Sequence, residues 1–224
     1  MSEKFLIGID DAGRGPIIGP MVLAGILIKK ENESILKEWG VTDSKKLTAE
    51  KRKEIAIKLR EKFEFHYELT SVDEIDQRGK VGTNLNRIEA IKAAKIINYL
   101  TKNKEQEVEI IIDCPSPNTE SWRNCVLQYI DKKNKIKLKT EHKADFNHIC
   151  CSAASIIAKT TRDAEIDKLK QETGLNLGSG YCSDPITCEC LNKNLDFLLK
   201  NGLVRKSWAT FDNLVANKEQ KKLF

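Results

Sequence analysis

The feature that most constrains this chain is an apolar strand that ends in two adjacent acids. Phe5-Leu6-Ile7-Gly8-Ile9 runs straight into Asp10-Asp11, and a glycine- and proline-rich segment follows to Gly19. A second apolar run, Met21 to Ile28, comes directly after it. Two strand-length apolar runs joined by such a segment predict an antiparallel hairpin. Asp10 and Asp11 then stand at the strand end, and strand ends at the rim of an open sheet are where such folds carry their sites.

The rest of the chain mixes strands and helices. Leu47, Ile55 and Leu59 recur at helical spacing and predict a helix over Thr48 to Lys62. Alternating Phe65, Tyr67 and Leu69 predict a strand over Glu64 to Thr70. Thr83 to Leu100 reads as an amphipathic helix. Val108 to Ile112 is a fourth strand that ends at Asp113, and Asn118 to Ile130 is helical. Lys135 to Thr140 alternates like a half-exposed fifth strand. A long helix is expected over Ala144 to Glu172, with two more near Thr187 to Lys200 and Ser207 to Ala216. The mixture suits a layered α/β domain.

Composition narrows the class. At 224 residues with 40% hydrophobic content the chain can build a core without disulfides. Its longest apolar run, Pro16 to Ile28, is too short to span a bilayer, and the first residues lack a leader layout. Seven cysteines without such a leader suggest a reducing, cytoplasmic compartment. The net charge of +5 permits nucleic-acid binding without demanding it.

Four acids stand out by position: Asp10 and Asp11 after the first strand, Asp113 after the fourth, and Asp145 at the start of the long helix. Meeting at one rim, they would suit hard divalent cations, which take oxygen ligands. Taken singly, each acid is more often a turn former or a helix cap than a ligand. If the strand continues through both, Asp10 and Asp11 point to opposite faces, so convergence calls for a bend near Gly13 and Gly15.

The run Gly8-Ile9-Asp10-Asp11-Ala12-Gly13-Arg14-Gly15-Pro16-Ile17-Ile18-Gly19-Pro20-Met21 resembles the N-terminal signature of the ribonuclease HII family in its archaeal/eukaryotic style. Further blocks follow in family order: Asp43-Ser44-Lys45-Lys46-Leu47, Ile112-Asp113 and His142-Lys143-Ala144-Asp145. Ser152 to Lys159 with Arg162-Asp163, Gly178-Ser179-Gly180-Tyr181 with Ser183-Asp184-Pro185, and Arg205-Lys206-Ser207-Trp208 complete the set. The resemblance implies a ribonuclease H-like α/β fold: a five-stranded mixed sheet flanked by helices, with a C-terminal helical part. The expected division is a catalytic domain over 1–174 and a helical part over 175–224, packed on it and ending in a short polar tail.

The resemblance also implies an activity. It is endonucleolytic hydrolysis of RNA in RNA–DNA hybrids and of single ribonucleotides embedded in duplex DNA. The cut falls 5′ to the ribonucleotide by two-metal-ion catalysis and leaves 3′-hydroxyl and 5′-phosphate ends. Asp10, Asp11, Asp113 and Asp145 would hold two Mg²⁺ or Mn²⁺ ions. Gly13, Arg14 and Gly15 would read the 2′-hydroxyl through their backbone. Tyr181 would stack on the sugar beyond the junction, and Ser44 and Lys45 would lie near the phosphates. One departure is Asp11, where the family usually has Glu. It predicts an altered metal preference, and it opens the alternative of a non-catalytic or weakly active hybrid-binding module.

Other features carry weaker signals. Cys182, Cys188 and Cys190 have no usual zinc spacing. His66 and His148 are expected to be structural. The tail Gln220-Lys221-Lys222-Leu223-Phe224 partly resembles a sliding-clamp-binding box, so Gln220, Leu223 and Phe224 are candidate clamp contacts. The chain is expected to be a monomer.

Overall fold

The computed structural model describes residues 4–131 and 135–220. β1 (Phe5–Ala12) and β2 (Met21–Lys29) form the predicted antiparallel hairpin. β1 outlasts its apolar run. Pairing continues through Asp10↔Ala24, Asp11↔Leu23 and Ala12↔Val22, so both acids are strand residues and the turn begins at Gly13. A ladder is made by backbone groups, and polar side chains at its rim do not end it. The strand thus continues through both acids, and the chain turns only at Gly13.

β3 (Glu64–Thr70), β4 (Val108–Asp113) and β5 (Ile136–Glu141) complete a five-stranded sheet in the order β3-β2-β1-β4-β5. β4 runs parallel to both β1 and β5, so the sheet is mixed, as the resemblance implies. Ile9 pairs with Ile112, which brings Asp10 and Asp113 to the same end of neighbouring strands.

Helices cover the rest: α1 (Glu33–Glu38), α2 (Ala49–Lys62), α3 (Val72–Gln77), α4 (Leu85–Thr101), α5 (Thr119–Gln128), α6 (Ala144–Asn147), α7 (Ile149–Thr173), α8 (Pro185–Lys200) and α9 (Ala209–Gln220). Thr48, Ser71, Asn84, Asn118 and Asp184 cap five of them, each accepting an amide N–H near the helix start. α1 and α3 have six residues each, too few to show periodicity in sequence. The expected single helix over Ala144 to Glu172 is interrupted at His148, whose φ of −130° and ψ of 118° are extended.

The two faces of β1 meet different helices. A Cβ at Gly8 would lie 2.2 Å from the Cys150 backbone, so α7 touches β1 backbone to backbone on one face. Across the ladder, Gly25 faces Ile9 and would meet Ile96 of α4 on the other.

By contacts the chain gathers into two units, and both are discontinuous in sequence. The first holds 1–12, 22–69 and 84–161; the second holds 13–21, 70–83 and 162–224. The sequence reading draws one boundary, at 174/175, because it cannot see which distant segments share a core. One core joins Val22, Ile26, Leu59, Ile111, Cys151 and Ile157. The other joins Ile17, Ile18, Leu177, Leu191, Leu198 and Val204, which draws the 13–21 loop into the second unit. All seven cysteines are free thiols. Among the described residues, no helix is long and apolar enough to cross a membrane.

Candidate active site

The first unit holds all four candidate acids. Asp10 is buried on β1 and turns to the α7 face, where it bonds the Ser155 hydroxyl. Its Oδ1 also accepts the Asp11 amide at 2.8 Å. Asp11 leaves the opposite face of the strand. With Asp10, Asp113, buried Glu89 of α4 and Trp122 of α5 it lines a small space at the sheet end. Asp113 ends β4, and its Oδ1 accepts the Ala144 amide at 3.0 Å. That bond satisfies one of the open amides at the start of α6 and fixes where α6 begins. Lys143, just before it, takes a left-handed φ of 60°. Such backbone persists only where its surroundings enforce it. The result is a short turn that carries buried Asp145, separate from α7. The Ser152 hydroxyl of α7 donates to the Asp145 carbonyl at 2.5 Å and ties the turn down.

Electrostatics shows that the acids act on one another. Burial pushes the Asp10 carboxyl well above the usual range, and neighbouring Asp11 and Asp113 push it further. Asp113 is raised by burial and by Asp145, while amide bonds and nearby Lys45 work against the rise. The donor set is all oxygen, anionic and self-repelling, which fits a hard divalent cation. Among the described residues, no three His, Cys, Asp or Glu side chains form a metal cage by themselves. Mg²⁺ sites need none, because one or two carboxylates and the substrate's phosphate commonly suffice.

Ser44 and Lys45 sit in a 3-10 turn over Ser44–Lys46. Lys45 is exposed, and its charge acts on Asp113. Ser44 is buried, and its hydroxyl lies 2.9 Å from that of Ser155, the Asp10 partner. It therefore supports the acid rather than facing outward. His142 Nδ1 is 3.1 Å from the Cys114 carbonyl, and His148 pairs with Glu141 at 2.7 Å. His66 stacks on Tyr99.

The second unit holds the glycine loop and Tyr181. Gly13 has a φ of +84°, and a Cβ there would lie 2.3 Å from the Arg162 side chain, so only glycine fits. Exposed Gly15 has room for a Cβ, with the Tyr181 ring 3.7 Å away. The structure thus brings the loop and Tyr181 together. Tyr181 also lies under the Arg162 guanidinium, 5.2 Å from its ring centre. The preceding turn is held by Asp184, whose Oδ2 accepts the Ser179 amide at 2.6 Å, and by Thr187, which accepts from Gly180.

Residues 7–211 match the family model for ribonuclease HII. The chain belongs to the ribonuclease HII family. A ribonuclease HII of Methanococcus maripaludis strain C6 is 40% identical over 227 residues, covering 100% of this chain and 92% of that relative. Two solved structures agree. The PCNA:RNase HII complex from Archaeoglobus fulgidus matches with a TM-score of 0.78 and 34% identity, over 91% of this chain and 95% of that one. The ribonuclease H2 of Pyrococcus horikoshii OT3 matches at 0.77 and 34%, over 94% and 96%. As a ribonuclease HII family member, the chain is a metal-dependent phosphodiester hydrolase with ribonuclease activity on RNA–DNA hybrids.

The sequence reading gave no role to Ser155, Glu89, Arg162, Arg205 or Trp208. All but Glu89 lie in the quoted blocks, but a block shows only that a residue recurs, not what it touches. Glu89 carries no signal, since a glutamate in a helix reads as surface.

Proposed function

We propose that this ribonuclease cuts on the 5′ side of single ribonucleotides in duplex DNA as well as within RNA–DNA hybrids, leaving 3′-hydroxyl and 5′-phosphate ends. The observation that carries the reading is Gly15 exposed beside the Tyr181 ring, on a loop whose neighbouring glycine admits no side chain. A 2′-hydroxyl both donates and accepts, and it is the one group that marks a lone ribonucleotide. Reading it from backbone requires close approach, which Gly15 allows. Tyr181 offers a flat face for the adjoining sugar and a hydroxyl beside it.

Asp10, Asp11, Asp113 and Asp145 would hold two Mg²⁺ or Mn²⁺ ions. Such ions supply an activated water and stabilise the leaving oxygen of a phosphodiester. Ser155, backed by Ser44, orients Asp10, and the Ala144 amide orients Asp113. Lys45 offers a positive charge to the phosphate. Asp11 has a shorter arm than the Glu usual in the family, so the preference between the two metals shifts while cleavage remains.

The test is a labelled DNA duplex with one ribonucleotide, incubated with Mg²⁺ or Mn²⁺ and mapped at single-nucleotide resolution. A cut 5′ to the ribonucleotide, lost in Asp113→Asn, is the expected result. Cleavage confined to long hybrids would overturn the single-ribonucleotide reading.

A clamp contact is the second reading, supported by the Archaeoglobus fulgidus relative's complex with PCNA. Leu223 and Phe224 lie outside the described residues, and of Gln220 only the backbone is described. Deleting Gln220 to Phe224 should abolish clamp binding by a monomeric enzyme; unchanged binding would sink the idea.

A further inference from the structure

Two arginines in the second unit, Arg162 and Arg205, are fully buried. Buried guanidinium groups are rare unless their donors are satisfied. Arg205 spends all three nitrogens on one short stretch of backbone. Its Nη2 donates to the Gly13 carbonyl at 2.7 Å, its Nη1 to Arg14 at 2.9 Å and its Nε to Gly19 at 2.9 Å. Three residues on, the half-buried Trp208 indole N–H donates to the Gly15 carbonyl at 3.2 Å. The carbonyls of all three glycine-loop residues are therefore taken by Arg205 and Trp208. A second guanidinium, Arg78, lies 5.0 Å from the Trp208 ring centre, as Arg205 itself does. Arg78 also bonds the Ser207 hydroxyl, while Asp76 accepts the Lys206 and Ser207 amides. The 205–208 segment is thus clamped to residues 76–78.

The peptide bond converts this bracing into direction. In a planar trans peptide the C=O of one residue and the N–H of the next point opposite ways. With the Gly13 and Arg14 carbonyls held by Arg205, the amides of Arg14 and Gly15 are directed away from it. We propose that Arg205 is the positioning residue that aims these two amides, that Trp208 anchors the end of the loop at the Gly15 carbonyl, and that together they set the preference for a ribonucleotide over a deoxyribonucleotide. The inference deepens the reading of the glycine loop as the 2′-hydroxyl reader and rests on it. A lysine cannot replace Arg205, because one ammonium cannot reach three carbonyls in the plane that a guanidinium fork spans. Burial pushes the guanidinium down to about 9, with Arg162 adding to the fall. It remains charged at neutral pH, so its three bonds persist there.

The experiment measures binding in EDTA, where a metal-dependent enzyme does not cut. Two labelled duplexes are compared, one all-DNA and one with a single ribonucleotide, and the ratio of their affinities is the readout. Arg205→Lys should lower that ratio about tenfold and Trp208→Phe about threefold, as lost backbone hydrogen bonds would. Affinity for the all-DNA duplex should stay within about twofold, because neither side chain is a phosphate contact. Trp208→Phe keeps an aromatic ring for the two guanidinium groups and removes the indole N–H with the second ring, so it serves if Arg205→Lys fails to fold. A folded Trp208→Phe with an unchanged ratio overturns the proposal. A uniform loss on both duplexes, in step with thermal stability, also overturns it by making the role purely structural. Gly15→Ala separates the underlying reading. If it leaves the ratio unchanged, the loop does not read the 2′-hydroxyl and the proposal falls with it. If it lowers the ratio and the bracing variants do not, only the positioning role fails.

Discussion

The acid end of the sheet and the arginine-braced loop both bury charge, yet they resolve it in opposite ways. Asp10 is held by one hydroxyl and one amide, while Asp11 and Asp113 push against it. Arg205 has a like-charged neighbour in Arg162, but three carbonyl oxygens take its donors. The first arrangement leaves electrostatic work for a cation from outside. The second is solved inside the chain and gives the backbone a fixed direction. On the proposed reading, one region keeps an unfavourable charge cluster for chemistry, and the other uses charge as scaffolding.

The largest effect should come from neutralising the acid end. Asp10→Asn keeps a carbonyl oxygen for the Asp11 amide and removes the repulsion from Asp11 and Asp113. Cleavage should fall by at least about 10²-fold, the scale for removing a group that stabilises charge in the reaction. Thermal stability measured without divalent metal should rise, by about 2–4 °C for each kcal/mol of relief in a chain of this length. Activity and stability moving in opposite directions would mark the cluster as functional strain. A variant that loses both would mean that Asp10 is part of the scaffold, and the contrast with Arg205 would collapse.

The two loop glycines sharpen the comparison from the other side. Gly13→Ala must place a methyl group against the Arg162 side chain at a positive φ, so it should cost about 2 kcal/mol or more. Gly15→Ala meets only ordinary contact with Tyr181 and should cost less than about 0.5 kcal/mol. Urea unfolding of both variants measures this. Equal costs would mean that the bracing is not tight.

How much of this was legible in the sequence follows the same contrast. The strand-end acids were readable because strand ends announce themselves: the apolar runs before Asp10 and Asp113 placed these carboxylates with no knowledge of packing. What could not be read was that β1 continues through Asp11, because ladder pairing does not depend on side-chain type. The break at His148 was hidden too, since the Asp113–Ala144 bond that starts α6 joins residues 31 apart. The braced loop was the least legible. An arginine in sequence reads as surface, and nothing near Arg205 announces that it bonds carbonyls 186 to 192 residues away. Asp11 stands between these cases, since its position was readable and its consequence was not. Asp11→Glu extends the arm by about 1.5 Å into the space beside Glu89 and Trp122. The ratio of Mg²⁺- to Mn²⁺-supported rates should change by roughly tenfold, since displacements of that size matter strongly at a reacting centre. An unchanged ratio would remove Asp11 from the metal set.

The smallest effect concerns Asp184, a carboxylate outside the acid cluster. Asp184 caps α8 and accepts amides from Ser179 and Ile186, and these bonds hold its carboxyl down to about 2. Its sign is opposite to that of Asp10. A carboxyl whose folded value lies below its unfolded value of about 3.9 contributes stability above that pH and loses it as the pH falls toward 2. Asp184→Asn keeps a carbonyl acceptor and loses the charge, so stability should fall less steeply between about pH 4 and pH 2. Urea midpoints across that window measure the slope. A slope identical to that of the parent chain would mean that the Tyr181 turn owes nothing to the charge of Asp184.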